Sequence, residues 1–302
     1  MMVFIPLLMA EGRRLALENS LKYFLVQRVA SLWFIFSCLL RAFMQWAMTA
    51  LVIVLAITLK LGMAPFHGWF ISVMSSTSFA IMFLLSTVQK FIPLLVLRTL
   101  PRRAFVVGVL VRVTLGAVFI LGLAQLSVKK LFAVSSINNV RWIILGAQSS
   151  LHAWRIYLLV YSLLLMPALR TLAANHGQYA SHMSLTIIPN RIKIGLVFLL
   201  ISLGGLPPFL GFFNKLMMIK ILLPMGVIVL RVIIFSSLVL LYYYLSWSFF
   251  MLTNNPSRAK ACRRTGSFYR LLLCVQRLVS IPVLLRVVYL WIGVGAQEIL
   301  IF

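Results

Sequence analysis

The residues of this chain best suited to move charge are lysines set beside breaks in apolar runs. Lys60-Leu61-Gly62-Met63-Ala64-Pro65-Phe66-His67 closes an uncharged apolar segment, Phe43 to Leu59, and brings a lysine and a histidine to a Gly/Pro break. Gly204-Gly205-Leu206-Pro207-Pro208, followed by Asn214-Lys215, repeats the pattern in the uncharged run Ile194 to Asn214. Lys90 stands three residues before Pro93, which removes a helix hydrogen bond and permits a kink, and Lys130 follows Lys129 at the head of another apolar run. An ammonium on a flexible stem gives up its proton more readily once desolvated, so a series of such groups can hand protons along in modest energy steps. Broken helices at membrane depth are tolerated where they line a cavity or pack in protein. His67 adds an imidazole, a further group able to pass protons. The candidate proton-path residues are therefore Lys60, Lys90, Lys130, Lys215 and His67, held by breaks at Pro65, Pro93, Gly204, Gly205, Pro207 and Pro208. Taken singly, each lysine also reads as an interfacial anchor, and His67 as a helix-end histidine bonded to a carbonyl.

Other chemistries lack their residues. Gly204-Gly205 is too short for a dinucleotide fingerprint, and no phosphate-cradling loop, paired metal ligands or nucleophile with an adjacent base is present. Cys38, Cys262 and Cys274 are odd in number and lack ligand spacing, so they read as apolar filler. His152, His176 and His182 fall in polar connections and receive no role. Trp69, Trp154, Tyr242 to Tyr244 and Trp247 read as markers of the membrane interface. No cofactor and no metal is expected on this chain.

The elements that position these lysines must be membrane helices. With 63% hydrophobic and 10% charged residues over 302 positions, and a mean hydropathy of +1.08, the chain cannot be packed as a soluble globule. A spanning helix needs ~20 mostly apolar residues, and helices satisfy every backbone polar group inside the bilayer. About nine spans meet that length: Leu21 to Leu40, Phe43 to Lys60, Phe79 to Leu97, Ala104 to Leu126, Leu131 to Gln148, Trp154 to Leu172, Ile192 to Phe213, Met225 to Leu252 and Leu271 to Val294. Met1 to Met9 has half that length. The expectation is an all-α, polytopic transmembrane helix bundle of about nine to ten helices, some of them broken. Connections such as Thr99 to Arg103 and Asn254 to Arg258 are short and polar, so residues 1–302 read as a single transmembrane domain. A cleavable signal is not expected, because Glu11, Arg13 and Arg14 follow the first apolar stretch instead of preceding it.

Charge separates the partner classes. Against 28 Lys+Arg stand three acids, Glu11, Glu18 and Glu298, for a formal net charge of +25. In a soluble chain that balance would point to nucleic acid. Here most cations flank apolar runs, where anionic lipid such as cardiolipin or the carboxylates of neighbouring subunits meet them, and nucleic acid is excluded as a partner. Arg112, Arg141, Arg231 and Arg286 sit inside apolar runs, at about 2.5–3.5 kcal/mol each on insertion scales if unpaired. Snorkelling serves for each one alone, but three carboxylates cannot neutralise the set. Basic residues fall on both sides of the alternating spans, so the positive-inside rule assigns no orientation.

Together the motifs resemble the chain 2 family of mitochondrial NADH:ubiquinone oxidoreductase, the antiporter-like subunits of respiratory complex I. The resemblance rests on Lys60 to His67, on Gln89-Lys90-Phe91-Ile92-Pro93, on Ser135-Ser136-Ile137, on Leu203-Gly204-Gly205-Leu206-Pro207-Pro208-Phe209-Leu210-Gly211-Phe212-Phe213-Asn214-Lys215 and on Glu18 to Gln27. It runs in order over about Met1 to Met251. It implies a multi-pass subunit of the mitochondrial inner membrane that couples quinone reduction elsewhere to proton translocation, along a hydrophilic axis containing Lys60, Lys90 and Lys215, with Lys130 beside Lys129 a weaker member. It also implies that NADH, FMN, iron–sulfur clusters and ubiquinone are bound by other subunits, and that the partners are other membrane-arm subunits. The chain departs from the family at several places. The family's membrane glutamate lies upstream of the segment that Met1 to Pro6 resembles, so the N-terminal region reads as shortened. Gly68-Trp69 and Ile71-Ser72 replace the usual Phe-Trp and Pro-Glu, Asn138 or Asn139 stands for a histidine, and Arg141 for a glycine. Two alternatives carry the same lysines: an independent proton-coupled cation antiporter, and a structural membrane-arm subunit without a working proton path. The shortage of carboxylates favours a subunit over a free carrier.

Overall fold

The computed structural model describes residues 14–43, 47–99, 114, 127–150, 152–174, 190–223 and 227–253. The spans expected at Ala104 to Leu126 (apart from Thr114) and Leu271 to Val294, the half-span Met1 to Met9, and Glu11, Arg112, His176, His182, Cys262, Cys274, Arg286 and Glu298 lie outside the described residues.

Ten helices follow one another in the described residues: α1 (Arg14–Phe43), α2 (Ala47–Leu61), α3 (Gly68–Ser76), α4 (Phe79–Ser86), α5 (Val88–Thr99), α6 (Val128–Ser149), α7 (Ala153–Ala174), α8 (Asn190–Gly204), α9 (Leu210–Leu222) and α10 (Val227–Thr253). Leu17–Phe43, Phe79–Arg98 and Ala153–Ala174 are each long and apolar enough to cross a bilayer unaided. Two further apolar runs are assembled from shorter pieces, α2 with α3 and α8 with α9, meeting at the two glycine breaks read in the sequence.

Three expectations are corrected. Residues 68–76, left between spans, form the helix α3. No gap in the helix falls at Pro93; α4 instead ends at Thr87, whose hydroxyl and N–H both donate to the Phe83 carbonyl (2.7 and 3.1 Å). Pro93 lies inside α5, where buried Leu94 and Leu97 hold the helix against its neighbours. The run expected to end at Phe213 continues through α9 to Leu222, so Lys215 sits within a helix and not near a span's far end.

α6 is the hub. Residues 128–129 and 131–147 are buried without interruption, and α6 packs against α3, α5, α7, α9 and α10. Burial on all sides explains why α6 shows no polar face. Two apolar layers stack along it. One gathers Leu131 to Ile137 of α6 with Phe70, Leu85, Leu165, Leu200 and Trp247; the other gathers Val140 to Ala147 with Ile57, Leu94, Tyr157, Met218 and Ile233. Between them lie buried Lys90, Ser135, Ser136, Asn138, Asn139, Arg141, Asn214, Lys215 and Ser236, a polar belt at the level of the helix breaks. Outside, α1 exposes Leu21, Leu25, Leu32, Phe36 and Leu39, an apolar face suited to acyl chains.

Candidate functional site

Both breaks are built by one local geometry. At the first, Gly62 takes a positive φ of 68°, its N–H donates to the Leu59 carbonyl (3.3 Å), and the Met63 N–H donates to the Thr58 carbonyl (3.0 Å). At the second, Gly205 has φ 85°, its N–H donates to Ser202 (3.1 Å), and the Leu206 N–H donates to Ile201 (3.4 Å). This is the paired-bond Schellman ending, which needs a left-handed residue and so selects glycine. Space selects it as well. A methyl at Gly62 would meet Cβ of Phe70 at 2.7 Å, and one at Gly205 would meet Nζ of Lys215 at 2.8 Å.

Each lysine can now be placed. Lys215 is buried on α9, and its ammonium donates to the Gly204 carbonyl at 2.5 Å, on the negative end of α8. Lys90 is buried on α5, where Nζ donates to the Ser136 carbonyl at 3.3 Å and, in a shorter bond, to the Ser136 hydroxyl. The Phe70 ring centroid lies 4.9 Å from the same ammonium, close enough for a cation–π contact. Phe70 therefore touches Gly62 at the first break and Lys90 in the belt. Lys60 ends α2 half-buried, 5.5 Å from the Phe34 ring centroid, and lines an open cavity with Gln89, Ile92 and Pro93.

Lys130 does not join them. Its side chain is exposed, while Lys129 is buried, donates to the Thr77 carbonyl at 2.6 Å and lies 5.3 Å from the Phe79 ring. Adjacent helix positions point about 100° apart, which makes Lys129 the inward member of the pair. His67 stands at the head of α3 with its Nδ1 buried and unpartnered among the described residues. Pro65, Pro207 and Pro208 occupy the loops of the two breaks and are exposed.

The belt also holds residues that sequence reasoning passed over. The Tyr157 hydroxyl donates to Asn139 Oδ1 (2.9 Å), and Asn214 Nδ2 donates to the Tyr157 carbonyl (3.2 Å). Tyr161 is buried on α7 near Ser86, Ser136 and Asn139, and Tyr244 is buried on α10 near Ser135. Tyr244 and Trp154 are buried, against the expectation of interfacial rings, whereas Tyr242 is exposed. Arg141 is fully buried beside Tyr157, with Nε, Nη1 and Nη2 all unpartnered among the described residues, while Arg231 is exposed. The one acid among the described residues, Glu18, is exposed on α1. Among the described residues, two carbonyls, one hydroxyl and one aromatic ring hold Lys90 and Lys215.

Residues 39–241 match the family described as NADH:quinone oxidoreductase/Mrp antiporter, TM. NADH-ubiquinone oxidoreductase chain 2 of Anopheles gambiae is 35% identical over 262 residues, 82% of this chain and 76% of the relative. The chain of the same name from Lumbricus terrestris is 33% identical over 256 residues, 80% and 75% of the two. Among solved structures, a chain of respiratory complex I from Thermus thermophilus with bound aureothin shares the fold, with a TM-score of 0.77 at 22% identity, covering 91% of this chain and 68% of that one.

Proposed function

The chain belongs to the NADH:quinone oxidoreductase/Mrp antiporter transmembrane family, and from that membership we propose that it is the chain 2 subunit of NADH:ubiquinone oxidoreductase. In this reading it sits in the mitochondrial inner membrane among other membrane-arm subunits and translocates protons while other subunits carry electrons from NADH to ubiquinone. The names of the Anopheles and Lumbricus relatives support the assignment. NADH, FMN, iron–sulfur and quinone chemistry belongs to those other subunits.

One observation carries the proton-moving role: Lys90 and Lys215 are buried in a polar belt between two apolar layers, their ammonium groups resting on oxygens of Ser136 and Gly204. A lysine bonded to a carbonyl keeps a proton it can release, since a carbonyl stabilises the cation less than a carboxylate does. Release breaks one Nζ–H bond and forms an O–H bond on water, leaving a neutral amine that takes up the next proton. Lys60, beside the open cavity, is the inlet of this path, and Lys129, rather than Lys130, is its inward-facing companion on α6.

The test has two parts. In detergent-extracted inner mitochondrial membranes on a native gel, an antibody to this chain should stain the same very large band as NADH dehydrogenase activity; migration alone would instead favour a free antiporter. In that complex, Lys215→Met should lower the protons pumped per NADH oxidised, and an unchanged ratio would make the chain a spacer.

A further inference from the structure

We infer that Arg141 and Asn138 form an internal binding site for a small inorganic anion of the halide class, enclosed against α6 in the middle of the bundle. The site goes beyond proton translocation, which is assigned to neither side chain, and does not depend on it.

Three observations carry it. The first is the charge: Arg141 is fully buried, and Nε, Nη1 and Nη2 of its guanidinium have no partner among the described residues. The second is its neighbours. Asn138 and Trp142 are buried as well, and Asn138 Nδ2, Asn138 Oδ1 and Trp142 Nε1 are unpartnered in the same way. Asn138 precedes Arg141 by three residues and Trp142 by four, the two spacings that put side chains on one helix face with Cβ atoms about 5–6 Å apart. The third is the sign. Between residues 138 and 142, little more than one turn of α6, five unpartnered nitrogens stand against one unpartnered oxygen, and every one of the five is an N–H donor.

That excess of donors selects the occupant. A metal cation takes oxygens, imidazoles or thiolates and would be repelled by the guanidinium. Water bonds to the donors but leaves the buried charge uncompensated, and a guanidinium keeps its proton in proteins. A carboxylate is the usual counter-charge, yet the one acid among the described residues, Glu18, is exposed on α1. A small anion accepts from several N–H groups at once and cancels the charge, in the strong, charge-assisted kind of hydrogen bond. The surroundings favour that pairing. Val140, Trp142, Ile143 and Ile144 belong to an apolar layer, where attraction between opposite charges grows as the local dielectric falls. Enclosure sets the size, since a site covered on all sides takes a bare halide and not a bulky organic anion. The glycine usual in the family at position 141 has no side chain with which to hold one.

The experiment uses the chain in its native assembly, extracted in potassium gluconate and then given potassium chloride at constant ionic strength. An antibody to the chain follows the temperature at which half of it becomes insoluble. Chloride should raise that temperature for the unmodified chain by a few degrees, in proportion to the logarithm of its concentration once the site fills, as for any ligand of the folded state alone. Arg141→Gly should show no rise, and in gluconate it should melt above the unmodified chain, because the unpaired charge is gone. Asn138→Ala keeps the charge and loses one donor, so it should need about ten-fold more chloride for the same rise. Equal rises in the unmodified and Arg141→Gly chains, or none in either, would overturn the site. So would an Arg141→Gly chain that melts lower in gluconate, since its counter-charge would then come from a neighbouring subunit. If the glycine variant does not assemble, Asn138→Ala decides: an unchanged chloride requirement overturns the site.

Discussion

Arg141 is the residue whose surroundings match it least. Its guanidinium is fully buried, and none of its three nitrogens finds a partner among the described residues. An ion buried unpaired carries an effective penalty of several kcal/mol, so Arg141→Gly, which installs the residue the family usually has there, should stabilise the protein by about 2–4 kcal/mol. Thermal unfolding of the detergent-extracted complex measures this as a raised midpoint. A lowered midpoint would mean that a counter-charge from a neighbouring subunit reaches Arg141. The arginine stood out in the sequence as a cation inside an apolar run, and so did the glycines of both breaks, because positive φ leaves a compositional mark. The tyrosines left none. A phenol reads alike at a lipid interface and in a belt, and only the helix that comes to cover it decides. Lys129 and Lys130 pose the same difficulty, since α6 is buried on every side and offers no polar stripe from which to set its phase.

The breaks act at the scale of elements by joining lysines to helix ends. Phe70 opens α3 against the bare backbone of Gly62 and places its ring on Lys90, so one side chain links the first break to the belt. Phe70→Ala should destabilise the protein by about 3–5 kcal/mol, as expected for a buried phenylalanine. Phe70→Leu restores most of the packing but not the ring face, so it should recover the thermal midpoint and leave the pumping ratio low. Recovery of both by leucine would show that Phe70 serves packing alone. Long apolar runs gave away α1, α7 and α10 in the sequence, because length against bilayer thickness decides them. α3 stayed hidden: residues 68–76 are too few to span and are interrupted by serines, and they become helical through burial of Phe70, Ile71, Val73 and Met74. Pro93 lies inside α5, and the gap between α4 and α5 falls at Thr87, which no glycine or proline marks.

Across the whole molecule, positive charge has two destinations. Lys22, Arg41, Arg155, Arg191 and Lys220 are exposed, where an anionic lipid surface contributes about 1 kcal/mol per cation. Delipidated complex should therefore regain thermal stability with cardiolipin and much less with a zwitterionic lipid. Equal recovery with both would assign the effect to acyl chains on the apolar face of α1. Among the described residues, Lys90, Lys129, Arg141, Lys193 and Lys215 are buried, and two of these five share α6: Lys129 and Arg141, with Asn138 and Asn139, are buried in one 22-residue helix, which is not among the described segments apolar enough to cross a bilayer unaided. Buried charged and amide groups of this kind are costly against lipid, so α6 is most favourably placed in the bilayer together with α7, α9 and α10, which pack on it; the central helix of the bundle depends for its insertion on helices made after it.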